Sequence, residues 1–257
     1  MWYRIISYLK FLLRSTNQHR VHSPFVFDLV TKCFYDKAKY EDYKKLEDFR
    51  NSLLNDDSSI EVNDLGAGSQ VMKTSKRKIN SIAKNSGTTL RRSKLLFRFA
   101  NYFKPTNILE LGTSLGIGTQ ALSLGSPNAN ITTIEGCENI SGFTKERFSS
   151  LSLENVEQLT GDFSAFLPEL SKNSYDLIFF DGNHQKKATL NYFEKLLNTI
   201  HNDSVFIFDD IYWSKGMTEA WETIKRHPKV TVTIDTYFWG FIFFRKEQQK
   251  EHFTIRV

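Results

Sequence analysis

Five short strand-like runs, separated by polar stretches with helical periodicity, set the architecture of this chain. They fall at residues 107–111, 131–135, 156–160, 176–180 and 204–208. Strands buried on both faces read as near-continuous apolar runs, and their alternation with helices is the pattern of βαβ units feeding a parallel sheet. A helix is predicted over 88–103, ahead of the first run. VTVTIDT (230–236) and GFIFFRK (240–246) stand too close for a parallel crossover, so they should pair as a hairpin. The fold class is therefore α/β: a mainly parallel sheet with a terminal antiparallel hairpin.

The chain changes character near residue 87. Before it lies a mainly helical, polar and aromatic region that includes HRVHSPFVFDLV (19–30), with His22, Pro24, Phe25 and Phe27 close together. Its opening stretch places Trp2, Ile5, Ile6, Leu9, Leu12 and Leu13 at helical spacing, with Arg4, Lys10 and Arg14 between them. This helix is too short and too charged to span a bilayer, and no small-residue cleavage site follows it. It is read as a helix packed on the domain. The alternative is peripheral membrane contact through residues 1–15, lying on an anionic surface.

Composition narrows the class. With 257 residues, 40% of them hydrophobic, the chain can bury a full core plus an appendage. A net charge of +5 permits an acidic partner without requiring one. Cys33 and Cys137 lack metal-ligand or disulfide-framework spacing, which fits a reducing cytoplasm. From Lys73 to Lys94 there are eight basic residues and no acidic ones. Such a run is read first as a solvated helix face, and second as a contact for phosphate, a lipid headgroup or RNA.

The candidate chemistry begins at ILELGTSLGIGT (108–119), where Glu110 precedes glycines 112, 116 and 118. A glycine-rich turn between a buried strand and a helix lets backbone N–H groups approach a ligand. An acid ending the next strand, here Glu135, can accept hydrogen bonds from ribose hydroxyls. The spacing is ExGxxxGxG and not the GxGxxG of a dinucleotide site. It resembles motif I of the class I S-adenosylmethionine-dependent methyltransferases, whose sheet is Rossmann-like and seven-stranded with its last strand antiparallel. The resemblance implies that Glu110 helps hold the methionine ammonium and that Glu135 takes the ribose. Thr113 and Ser114 lie in the loop, where their hydroxyls could reach the methionine carboxylate. Asp162 and Phe163, in LTGDF (159–163), match the positions that cap and pack the adenine. The similar NDLGAGSQ (63–70) lacks a following acid for the ribose before Glu110 and is read as a tight turn, with an acceptor-site lid as an alternative.

Two later runs end in acids: Asp181 in YDLIFFDGNH, and Asp209 and Asp210 in SVFIFDDIYW. On adjacent parallel strands these carboxylates would gather at the carboxyl edge, the usual ligand crevice of an open α/β sheet. They would repel one another unless a cation or protons intervened, and oxygen ligands suit Mg²⁺ or Ca²⁺. The stretch from Gly87 to Gly118, with DGNH and FDD, is similar to the cation-dependent small-molecule O-methyltransferases of the catechol, caffeoyl-CoA and macrocin types. That resemblance puts Asp181, Asp209 and Asp210 on the metal positions, with Asp210 matching the sugar-modifying branch. Asn183 falls where that branch has an acidic base. The neighbouring His184 is the candidate base, since an imidazole suits proton abstraction near neutral pH. Asp181 contacting cofactor or acceptor without metal is the alternative, as is a helix start at Asn183 and His184.

The expectation is a methyltransferase using S-adenosylmethionine, and Mg²⁺ if the aspartates hold a metal. It would act on an oxygen of a small molecule such as a sugar or lipid-linked glycan. Residues 1–86 would form a cap that sets substrate choice, and residues 87–257 the catalytic domain. An RNA or protein methyltransferase is the alternative raised by the basic stretch. A non-catalytic adenosyl-ligand binding module is a further one.

Overall fold

The computed structural model describes residues 2–63 and 75–257, so NDLGAGSQ from Asp64 onward and the start of the basic stretch lie outside the described residues. The chain packs as two compact units: Met1–Tyr35 with Ser164–Val257, and Asp36–Phe163. In chain order the first unit opens with helices α1 (Trp2–Arg14) and α2 (Pro24–Leu29). The second contains α3 (Asp42–Leu54), β1 (Ser59–Glu61), β2 (Lys76–Lys78), α4 (Ile79–Asn85), α5 (Leu90–Phe103), β3 (Asn107–Leu111), α6 (Ile117–Gly125), β4 (Asn130–Glu135), α7 (Glu138–Ser150) and β5 (Val156–Thr160). Next come α8 (Phe163–Leu170), β6 (Leu177–Phe180), α9 (Lys186–Leu196), β7 (Val205–Asp209), α10 (Lys215–Arg226), β8 (Val232–Asp235), β9 (Trp239–Phe243) and β10 (Glu251–Thr254).

In the second unit β3, β4 and β5 run parallel, with Ile108 opposite Ile131 and Ile134 opposite Leu159. Helix α5 starts at Thr89, whose hydroxyl accepts from the Arg92 N–H, and ends at Lys104 in a left-handed conformation. It meets α6 closely because residue 125 is glycine: a Cβ there would lie 2.5 Å from the Phe97 carbonyl oxygen. The basic stretch is not one helix face. Lys76, Arg77 and Lys78 form β2, paired antiparallel with β1, and the later cations are spread over α4 and α5. Proximity to Ser59–Glu61, which no local pattern announces, draws these residues into a ribbon.

In the first unit the strand order is β10-β8-β9-β7-β6. β6 and β7 are parallel, and β9 inserts antiparallel between β7 and β8, so the hairpin forms. β10, absent from the sequence reading, adds parallel to β8. Its run is short and half exposed, so it lacks the apolar continuity of a central strand. Helix α10 is capped by Ser214, which accepts from the Met217 N–H, and buries Met217, Ala220, Trp221 and Ile224 along one face. Gly240 admits the Trp221 ring, since a Cβ would stand 2.6 Å from its Cζ3.

Helix α1 packs on this unit through the side opposite to its apolar stripe. Ser7 and Phe11 are buried, while Trp2, Ile5, Ile6, Leu9 and Leu13 are exposed. No helix among the described residues is long and apolar enough to cross a membrane.

Candidate active site

The glycine loop after β3 is built from three left-handed backbones: Gly112 (φ 110°), Ser114 (φ 47°) and Gly116 (φ 80°). The N–H groups of Gly112 and Thr113 donate to the Ile134 carbonyl at 3.0 and 3.2 Å, pinning the loop to β4. For Gly116 the structure supplies a reason unrelated to ligand approach. A Cβ there would sit 2.5 Å from Phe148 Cε1 on α7, in a conformation that already disfavours side chains. Gly118 is buried within α6.

Glu110 is 1% exposed. Its Oε2 accepts from the Thr119 hydroxyl at 2.5 Å and from the Thr133 hydroxyl at 2.6 Å. Thr113 and Thr133 have their hydroxyl oxygens 2.7 Å apart. Because the Thr133 proton goes to Glu110, Thr113 donates to Thr133, which makes a short polar chain ending on the carboxylate. The other carboxylate oxygen, Oε1, is buried and has no hydrogen-bond partner among the described residues. Burial pushes the Glu110 pKa up to about 7, the two hydroxyls oppose the rise, and the charge of Glu135 adds to it. A buried carboxylate with one oxygen anchored and one vacant fits a ligand ammonium, which would supply both the missing hydrogen bond and the counter-charge.

Glu135, at the end of β4, is half-buried and held by two backbone donors. Ser114 N–H reaches Oε2 at 2.8 Å and Cys137 N–H reaches Oε1 at 2.9 Å. The left-handed turn at Ser114 thus locks the acid that follows the next strand. Asp162 is exposed, and Phe163 is buried at the start of α8. Thr119, Thr133 and Phe148 escaped the sequence reading. Thr119 and Thr133 are hydroxyls inside otherwise buried elements near an acid, a signal legible in retrospect; Phe148 gave none.

In the first unit the register pairs Phe180 with Phe208, so Asp181 and Asp209 follow at neighbouring strand ends. One ligand atom each from Asp181, His184 and Asp209 lie within 4.8 Å of one another, with Asp209 buried and the other two half-buried. Asp210 is not part of that group; it turns left-handed (φ 51°), and its carbonyl accepts from the Trp213 N–H at 2.8 Å. Asn183 is also left-handed (φ 49°), and its amide donates to Tyr192 Oη at 3.1 Å. The N-cap of α9 is Gln185, so Asn183 does not start that helix. This pair of left-handed turns aims the acids and the histidine in directions that strand alternation alone would not give.

Just beyond, Asp235 is buried and accepts from Tyr212 Oη at 2.5 Å and from the Tyr237 N–H at 2.8 Å. Burial raises the Asp235 pKa, and burial together with Asp235 raises that of Tyr212. Tyr212 and Tyr237 stack with ring centroids 5.2 Å apart.

Residues 109–211 match the model of a methyltransferase domain family, and this span opens on Glu110 and its glycine loop. Over that span the chain carries a methyltransferase domain. Solved structures share the fold. An SAH-bound methyltransferase from Podospora anserina is 13% identical, covering 88% of this chain and 97% of its own, with a TM-score of 0.60. The O-methyltransferase TomG from Streptomyces achromogenes, in complex with SAM, is 17% identical over 90% of this chain and 99% of its own, with a TM-score of 0.57. A putative caffeoyl-CoA O-methyltransferase from Staphylococcus aureus is 19% identical over 59% of this chain and 82% of its own, with a TM-score of 0.53. At such identities the likeness is one of fold, and any acceptor has to be argued from this chain's own residues.

Proposed function

We propose that this chain is an S-adenosylmethionine-dependent methyltransferase acting on an oxygen of a small molecule, with Asp181, His184 and Asp209 holding a divalent cation. The observation that carries the reading is the gathering of those three side chains at the ends of β6 and β7. O-methyltransferases among the structures of like fold support oxygen as the acceptor atom. An imidazole in the donor set widens the choice from Mg²⁺ to first-row ions that accept nitrogen. A cation bound there would lower the pKa of an acceptor hydroxyl and orient it. When no cation is bound, the His184 imidazole is the proton acceptor, and Asp181 and Asp209 stabilise the charge it gains.

S-adenosylmethionine supplies an already activated methyl group, so the protein's task is to bind and orient. Glu110 Oε1 would accept from the methionine ammonium. Glu135 would take the ribose hydroxyls. Gly112, Thr113, Ser114, Gly116 and Gly118 would shape the methionine end of the site, and Asp162 and Phe163 would cap and pack the adenine. Residues 1–86 would govern acceptor choice. Cys33 and Cys137, buried and not disulfide-bonded, support a reducing cytoplasm.

Calorimetric titration with S-adenosylhomocysteine tests the cofactor half: binding is expected for the wild type and loss for Glu135→Ala. Titration with Mg²⁺ and Mn²⁺ tests the cation half, with binding lost in Asp209→Asn. Cofactor binding with neither ion bound would leave a metal-free reaction based on His184. An absence of cofactor binding would sink the proposal as a whole.

A further inference from the structure

Seven of the nine large hydrophobic side chains that stand exposed among the described residues belong to one helix, α1. Trp2 is 78% and Leu13 88% exposed, and Ile5, Ile6 and Leu9 lie between them. At 3.6 residues per turn these five occupy about a third of the helix circumference. They face away from Ser7 and Phe11, the residues α1 buries. An amphipathic helix on a globular protein ordinarily turns its stripe inward.

The inverted orientation is held in place by several contacts. The ring of Tyr237 lies 4.8 Å from that of Tyr8 and 5.6 Å from that of Phe11, and its hydroxyl donates to the Arg4 carbonyl at 2.8 Å. Tyr237 keeps a left-handed backbone, φ 74°, which is costly for a bulky residue. The Arg4 guanidinium lies over the Trp213 ring at 4.6 Å. After the helix, Thr16 bridges to Ile255, and Arg256 donates to the Leu12 carbonyl at 3.1 Å. Phe238, exposed itself, packs on Tyr237.

The charge of the segment that carries the stripe points to the occupant. Arg4, Lys10, Arg14 and Arg20 lie within the first 27 residues, which contain no Asp or Glu. On the wheel Lys10 borders the stripe, while Arg14 and Arg4 flank the buried face on its two sides. A second copy of the same face would bring like charges together. An anionic headgroup layer complements the cations while the acyl boundary receives the indole and aliphatic groups. We propose that α1 is a docking surface for an anionic lipid bilayer, in whose interface it lies parallel to the membrane plane.

The test is co-sedimentation of the full chain with vesicles rich in phosphatidylglycerol and with pure phosphatidylcholine vesicles, at low and high salt. Binding to the anionic vesicles, weakened by salt, is expected. Leu9→Glu/Leu13→Glu should reduce it by at least about tenfold for each side chain. Lys10→Glu/Arg14→Glu should reduce it by about fivefold or more for each cation. This second pair keeps the test valid should the first fail to fold, which thermal melting would show. The proposal is overturned if the wild type stays in the supernatant with anionic vesicles, or if folded variants sediment like the wild type. It is equally overturned by a dimer that Leu9→Glu/Leu13→Glu dissociates while no form binds vesicles, because that assigns the face to a second copy.

Discussion

Replacing Glu110 with glutamine should stabilise the protein without cofactor and abolish its affinity for the cofactor. Burial raises the pKa of this carboxyl from its ordinary 4.5 to about 7. Between those values the folded state keeps a proton that the unfolded state has released, so stability falls as pH rises across the interval. A shift of about 2.5 units, at about 1.4 kcal/mol each, makes the loss about 3 kcal/mol by pH 8. Glutamine carries no charge to desolvate, and its oxygen can still accept from Thr119 and Thr133. Its amide group then occupies the place of the unpartnered Oε1, at a cost of about 1–2 kcal/mol. The net gain at pH 8 is about 1–2 kcal/mol, or a rise of about 2–8 °C in melting temperature. At pH 5 the wild-type carboxyl is already protonated, and the gain should vanish or reverse. Differential scanning fluorimetry of both forms without cofactor at the two pH values gives the answer, alongside titration with S-adenosylhomocysteine at pH 8. A variant that melts below the wild type at pH 8, or a gain equal at both pH values, would refute the account of the buried charge. Unchanged ligand affinity would refute the ammonium role.

Three further outcomes follow from individual contacts. Gly116→Ala should cost about 2–5 kcal/mol in urea unfolding, combining the left-handed backbone with overpacking against Phe148. Adding Phe148→Ala should recover the steric part of that cost and leave the backbone part. Tyr212→Phe strips buried Asp235 of a side-chain donor and should cost about 1–3 kcal/mol at neutral pH. Burial already raises the Asp235 pKa, so the cost should shrink as the carboxyl gains its proton in acid; a loss that does not change with pH would refute the charge argument. For Asp209→Asn, divalent-ion binding should disappear from calorimetry while S-adenosylhomocysteine affinity persists, because Glu110 and Glu135 belong to the other unit. Retained ion binding would remove Asp209 from the metal site.

Much of the fold was legible because its central strands bury both faces. LIFF at 177–180 and VFIFD at 205–209 are wholly buried, and only a continuous apolar run survives such an environment. The glycine loop was equally readable, since positive φ at 112 and 116 restricts residue choice wherever the loop sits in space. Strand β10 and the β1–β2 ribbon were not legible. Their stability comes from a partner distant in sequence, and three or four half-exposed residues carry too little periodicity to show it.

The sequence by itself determined which residues share a stripe, a strand end or a turn, because helix and strand periods are properties of the local backbone. It could not say what covers each surface. Glu110 reads as an acid beside a glycine turn, but the vacancy at Oε1 depends on Thr119 and Thr133 both reaching Oε2. Asp209 and Asp210 read as equivalents until a left-handed turn at 210 separates them, while His184 joins Asp181 and Asp209. Gly116 looks like room for a ligand, and the Phe148 ring is what fills it. The apolar stripe of α1 is plain in the sequence, yet its outward direction follows from Tyr237, more than two hundred residues away, holding the opposite side. Spacing along the chain fixes the faces of an element, and only packing between distant segments decides where those faces look.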